Sequence, residues 1–155
     1  MAADLPLFST RHRFSDWPNE SIPAVSAGVY IIWHSSLLMY CGMSGREIEQ
    51  ASARGKSRYG LVTRLQSHAR GRLSGDQFCV YVANRLVIPG LQPDQLESFA
   101  TGETTLDELV KRYVHEHFEY QFACVSTSAE AYEIERIIRD GSALGQKPLL
   151  NPLHS

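Results

Sequence analysis

The chain has 155 residues, 43% of them hydrophobic and 21% charged, and a formal net charge of −2. That size and composition fit one globular domain with a core of its own. No run approaches the roughly 18 consecutive apolar residues of a membrane span, and the opening MAADLPLFSTRHRF lacks the basic start and apolar stretch of a secretory signal, so a cytoplasmic protein without membrane contact is expected.

Residues 1–23 show little periodicity and read as an N-terminal arm, ahead of a domain spanning 24–155. GVYIIWHSSLLMYCG follows, with apolar runs Val29 to Trp33 and Leu37 to Cys41 around His34, Ser35 and Ser36. This is a β-hairpin buried on both faces. A three-residue loop would set Trp33 against Leu37 and Tyr30 directly opposite Tyr40, placing two phenols side by side. SGREIEQASARGKS is polar and reads as a long exposed loop. In RYGLVTRLQSHARGR, residues Leu61, Arg64, Leu65 and His68 stand at i, i+3, i+4 and i+7, with Ser57 as N-cap.

QFCVYVANRLVIP reads as a strand ended near Pro89, and a helix is expected from about Thr105 to His115. FEYQFACVS alternates as a further strand. Ser128 then caps the helix AEAYEIERIIRD, which Gly141 ends. The order strand, strand, helix, strand, helix, strand, helix is a mixed α+β layer rather than repeated βαβ units. Cys41, Cys79 and Cys124 lie in apolar segments without Cys-x-x-Cys spacing, so buried free thiols are expected. His115-Glu116-His117 straddles the expected helix end and strand start, a poor frame for a metal.

The mild overall acidity conceals a basic segment. From Arg46 to Arg85 there are eight Arg and Lys residues against three acidic ones, a local net of +5. Such a patch steers a polyanion by its local field, with Lys56, Arg58, Arg70 and Arg72 as the candidate phosphate contacts.

Two helices also carry ionisable groups on their apolar stripes. Arg64 and His68 lie on or beside the stripe of Leu61 and Leu65, and Glu135 completes that of Ala131, Ile134 and Ile138. Core-facing charges are costly unless paired or ion-bound. An internal Arg64–Glu135 salt bridge is one solution. An active site is the other: two phenols, an imidazole, a guanidinium and a carboxylate on one sheet face suit metal-assisted phosphodiester hydrolysis.

The order Gly28-Val29-Tyr30, Tyr40-Cys41-Gly42, Gly60-Leu61-x-x-Arg64-Leu65-x-x-His68, Ala131-x-x-x-Glu135 and Leu150-Asn151-Pro152 resembles the GIY-YIG nuclease family. That family includes homing endonucleases, some type II restriction enzymes and the incision domain of nucleotide-excision repair. The resemblance covers roughly residues 24 to 153 and implies a small central antiparallel β-sheet of three to four strands flanked by helices. A helical insertion at about 91–117 would precede the last strand. It implies a metal-dependent endonuclease of the compact stand-alone kind, acting on DNA rather than RNA, with Mg²⁺ as cofactor and Mn²⁺ as a substitute. Cutting both strands would take a homodimer or two successive events.

Carried over by position, Tyr30 and Tyr40 would line the site, with Tyr30 activating or orienting the water. Arg64 would hold the scissile phosphate, and His68 occupies a position where several members use histidine. Glu135 would bind the metal and Asn151 would buttress the site. Val29 and Cys41 replace isoleucines without loss of apolar character, Met43 stands where some members have lysine, and Glu133 competes with Glu135 as the ligand. The rival within the same fold is a catalytically inactive nucleic-acid-binding module.

Overall fold

The computed structural model describes residues 4–151, so Pro152 of the late Asn-Pro pair lies outside the described residues. Its strands are β1 (His12–Arg13), β2 (Val25–His34), β3 (Leu37–Ser44), β4 (Tyr59–Gly60) and β5 (Glu119–Val125). Its helices are α1 (Ile48–Ala53), α2 (Leu61–Ala69), α3 (Gln77–Val82), α4 (Pro93–Thr101), α5 (Leu106–His117) and α6 (Ser128–Arg139). The chain is thus α+β. An antiparallel ladder runs β1-β5-β2-β3, and β4 adds a short parallel pairing to the start of β2.

The sheet is a middle layer, which explains why β2 is apolar at nearly every position. Side chains alternate between faces along a strand. Tyr30 and Ile32 join Leu61, Leu65, Phe78, Val110 and Val114 on one face, while Val29, Ile31 and Trp33 join Ala131, Ile134 and Ile138 of α6 on the other. The N-terminal arm belongs to the same core: β1 pairs with β5, Ser9 N–H donates to the Phe122 carbonyl at 2.8 Å, and Phe14 is fully buried.

The hairpin differs from expectation in register. Its loop is only Ser35 and Ser36, with Ser35 at φ 54°, and His34 pairs with Leu37. A bulge follows, because Trp33 pairs with Leu38 and Ile32 with Tyr40, leaving Met39 as the extra residue. Tyr30 therefore faces Gly42, not Tyr40. The slip is an even number of residues, so both tyrosines keep the same face, one pair apart, with ring centroids 6.3 Å from each other.

Residues 77–89 are not a strand. Asp76 caps α3 by accepting the Cys79 N–H at 2.9 Å, and the chain continues as a π turn over Ala83–Val87 and a 3₁₀ turn over Ile88–Gly90. The residues are β-prone, but Phe78, Cys79, Val82 and Ala83 bury one helical face against the sheet. Tertiary packing here overrides propensity.

The helix carrying Arg64 starts after Gly60 rather than being capped by Ser57. Gly60 has φ 103°, and a Cβ there would lie 1.7 Å from the Ser26 carbonyl oxygen, so only glycine lets β4 touch β2 and turn at once into α2. The expected long loop holds α1, and the insertion contains α4 as well as α5, whose cap is Thr105. The last helix is capped by Thr127 rather than Ser128. Cys124 is exposed, unlike Cys41 and Cys79, and all three thiols are free. Among the described residues no helix is long and apolar enough to cross a membrane.

Candidate functional site

A cleft of about 730 Å³ opens where α2, α6 and the far end of the hairpin meet, and Tyr30, Tyr40, Arg64, His68 and Glu135 all line it. The hairpin supplies the phenols, α2 presents Arg64 and His68 one turn apart, and α6 brings Glu135 across from them. Sequence periodicity puts Arg64 and His68 on or beside the apolar stripe of α2. Arg64 lies beside it, exposed at the cleft, whereas His68 is buried at 1% exposure. No ion pair joins Arg64 to Glu135 among the described residues; Glu135 pairs with Arg139 of its own helix at 3.0 Å. The internal Arg64–Glu135 bridge is thereby removed as an explanation of the two residues.

The two glutamates of α6 are separated by the helix. Glu135 is only 14% exposed and lines the cleft. Glu133 points to solvent at 60% exposure and pairs with Arg136 at 3.2 Å. Asn151 does not line the cleft. It buttresses from behind, its Oδ1 accepting the Cys41 N–H at 2.8 Å and its Nδ2 donating to the Cys41 carbonyl at 2.9 Å. The tail thus closes the outer edge of β3 beside Tyr40.

The Tyr30 hydroxyl lies 2.7 Å from His68 Nε2, and His68 Nδ1 lies 2.6 Å from Asp76 Oδ2. Gly42 makes room for this phenol: a Cβ there would sit 2.3 Å from the Tyr30 oxygen. Burial, reinforced by neighbouring Tyr40, holds the Tyr30 hydroxyl well above the usual phenol range. Burial, then the charges of Asp76 and Glu135, also raises Tyr40. Both are therefore neutral donors at physiological pH.

A group whose folded pKa is raised contributes stability below its unfolded pKa and loses it as pH rises above that value, here about 10. In an alkaline titration followed by phenolate absorbance, Tyr30 and Tyr40 should ionise only as the protein unfolds, and Tyr30→Phe should remove one late-titrating group. Ionisation of all seven tyrosines near pH 10 in a protein that keeps its circular dichroism would contradict this burial.

His68, Asp76 and Cys79 also form a buried group whose ligand atoms lie within 4.8 Å of one another, a spacing that could hold a metal ion. Their contacts read better as hydrogen bonds. His68 Nδ1 stands 2.6 Å from Asp76 Oδ2, an ordinary hydrogen-bond contact, and burial pushes the Cys79 thiol up. Glu135 is the other group that could hold a hard divalent cation: a single carboxylate facing an open cleft suits an ion that keeps most of its own waters.

The four basic candidates lie apart from the cleft lining. Lys56 places its ammonium 4.9 Å over the Tyr59 ring, Arg58 donates to Gln66 at 3.2 Å, and Arg70 and Arg72 are exposed after α2. The cleft's own cations are Arg46, Arg64 and Arg139. Sequence reasoning missed Arg46, Arg139 and Asp76. The signal for Asp76 was present as a helix N-cap before an apolar run, and it was lost when residues 77–89 were read as a strand. His115 is tied by Nε2 to the Ala69 carbonyl at 2.7 Å within α5, away from any His-x-His metal geometry.

The protein-family models, the curated proteins and the solved structures compared with this chain contain no match to it.

Proposed function

We propose that the chain is a metal-dependent endonuclease of GIY-YIG type that hydrolyses phosphodiester bonds, in DNA rather than RNA. One observation carries this reading: two neutral phenols, an imidazole, an exposed guanidinium and a carboxylate from distant parts of the chain line one cleft. A binding groove has no need of a carboxylate beside the phosphate, where it would repel its ligand.

Glu135 would hold Mg²⁺, which when bound polarises the phosphate and acidifies attached water. Arg64, exposed to the cleft, binds the phosphate and stabilises the charge that grows on it. Tyr30, fixed by His68 at 2.7 Å, orients the attacking water. Tyr40 lines the same wall as a second neutral donor. Asn151 holds β3, and with it Tyr40, in place.

Arg64→Ala should lower the cleavage rate at least about 100-fold, as expected for loss of a transition-state charge partner. A near-normal rate would remove Arg64 from the site. The reading as a whole is tested with supercoiled plasmid, a circular single strand and a structured RNA, each with Mg²⁺, Mn²⁺ or chelator. Metal-dependent cutting of a DNA substrate is the expected result. A folded protein that binds these nucleic acids and cuts none would overturn catalysis in favour of a binding module of the same fold.

A further inference from the structure

Beneath the cleft floor lies a carboxylate that the mechanism above does not use. Asp76 is 1% exposed and sits between Gly75 and Gln77, both of which line the cleft. Its Oδ2 accepts from His68 Nδ1 at 2.6 Å and from Ser67 Oγ at 2.6 Å, and its Oδ1 accepts the Cys79 N–H at 2.9 Å. We propose that Asp76 is a positioning residue for this site, fixing His68 in the tautomer that carries its proton on Nδ1 and leaving Nε2 to accept the proton of Tyr30. The proposal rests on the hydrolase reading of the cleft.

The Ser67 hydroxyl and the Cys79 N–H both donate to Asp76, which favours the ionised carboxylate and leaves the proton between it and His68 on the imidazole. Burial alone would raise the Asp76 carboxyl, but the hydrogen bonds from His68, Ser67 and the Cys79 amide outweigh it and hold the group below its ordinary range. In the tautomer with Nδ1 protonated, His68 has its lone pair on Nε2, where the Tyr30 hydroxyl stands at 2.7 Å. Tyr30 must then be the donor of that bond. Tyr30 lines the cleft, and its oxygen keeps lone pairs for a water.

The arrangement solves a difficulty that Tyr30 otherwise poses. A fully buried phenol beside another phenol does not exist as a standing phenolate, so it cannot take a proton from water without giving one up. Through His68 it can do both in one step. The water oxygen bonds to phosphorus while one water proton passes to Tyr30 Oη, and the original Tyr30 proton passes to His68 Nε2. The ester P–O bond breaks, and the departing oxygen takes a proton from solvent water. The resulting imidazolium is flanked by the Asp76 carboxylate and returns its proton to solvent after the product leaves. In the opposite tautomer Nε2 would carry a hydrogen, and the relay would be blocked at its first transfer.

Asp76→Asn tests this without removing the helix cap, since asparagine caps as well as aspartate. The side-chain amide can now donate to Nδ1 and favour the other tautomer. Imidazole ¹⁵N shifts, with His68 assigned by its loss in His68→Gln, should show Nδ1 protonated and Nε2 bare in the wild type, and the reverse in Asp76→Asn. Cleavage of supercoiled plasmid should lose at least about 100-fold in kcat, the scale of a lost proton-transfer group, with KM little changed and the folded circular dichroism retained. In a His68→Gln background Asp76→Asn should cost nothing more, because the two act as one unit.

A wild-type His68 protonated on Nε2, or an Asp76→Asn protein with normal kcat, would overturn the role of Asp76. Additive losses in the double variant would also overturn it, since they would make Asp76 a merely structural residue. A wild type that cuts none of the substrate panel is a different failure: it overturns the hydrolase reading and the catalytic consequence with it, while the ¹⁵N pattern still decides whether Asp76 sets the tautomer.

Discussion

Gly42→Ala should yield a protein about 2 kcal/mol less stable and at least about 100-fold slower in cleavage. The added methyl would lie 2.3 Å from the Tyr30 oxygen, 2.4 Å from its Cζ and 2.9 Å from its Cε1. Two of those three atoms belong to a rigid ring that is 2% exposed and packed against His68 and Tyr40, so the ring itself must swing. Swinging it breaks the 2.7 Å bond to His68 and moves the water-orienting oxygen away from its place. Denaturant unfolding and plasmid cleavage measure the two effects separately. If Gly42→Ala matched the wild type in both, the phenol would not occupy the space that the glycine vacates, and the reading of the Tyr-Cys-Gly motif as a seat for Tyr30 would be lost.

Glu135→Gln should separate stability from activity in the opposite way. Among the described residues it pairs with Arg139, one turn along α6 at 3.0 Å, and the glutamine oxygen can still accept from that guanidinium. Stability should change by about 1 kcal/mol or less, on the scale of a partly exposed i,i+4 pair. Mg²⁺-dependent cleavage should fall about 1000-fold or more, equivalent to about 4 kcal/mol of transition-state stabilisation. Mn²⁺ binding, followed by electron paramagnetic resonance, should weaken in parallel. Glu133→Gln, by contrast, should leave activity near normal, because that side chain faces solvent beside Arg136. A large loss in Glu133→Gln with full activity in Glu135→Gln would move the ligand to the outer face of α6.

Periodicity made several of these elements legible in the sequence. The unbroken apolar run of β2, the alternation of β5 and the stripes of α2 and α6 follow directly from two-sided or one-sided burial, so their placement needed no tertiary knowledge. The shared face of Tyr30 and Tyr40 was legible for the same reason, although the bulge at Met39 shifted their register. Residues 77–89 were not legible. Val, Phe, Tyr and Ile are common to strands and buried helices, and only the cap at Asp76 distinguished the two.

That misreading concealed the third member of the Tyr30–His68 hydrogen-bond chain, since a carboxylate at the head of a strand would have had no reason to point beneath α2. Arg64 is expected on or beside the apolar stripe, and periodicity alone does not decide between the two, because a helix position flanking a cleft has nearly the same spacing as one facing a core. Cavities depend on how elements dock, and docking leaves no period in the chain. The position of Asn151 likewise has no local signal: its two bonds to Cys41 exist only because the tail returns to the edge of β3.

The most direct test of a hydrolytic cleft is strand scission of supercoiled plasmid by the purified wild-type chain, with Mg²⁺ and with chelator, beside Glu135→Gln in Mg²⁺. Nicked or linear product is expected in the first reaction alone. Intact plasmid in all three, from a folded protein shown to bind DNA, or equal product from the wild type and Glu135→Gln, would contradict a hydrolytic site built on this cleft.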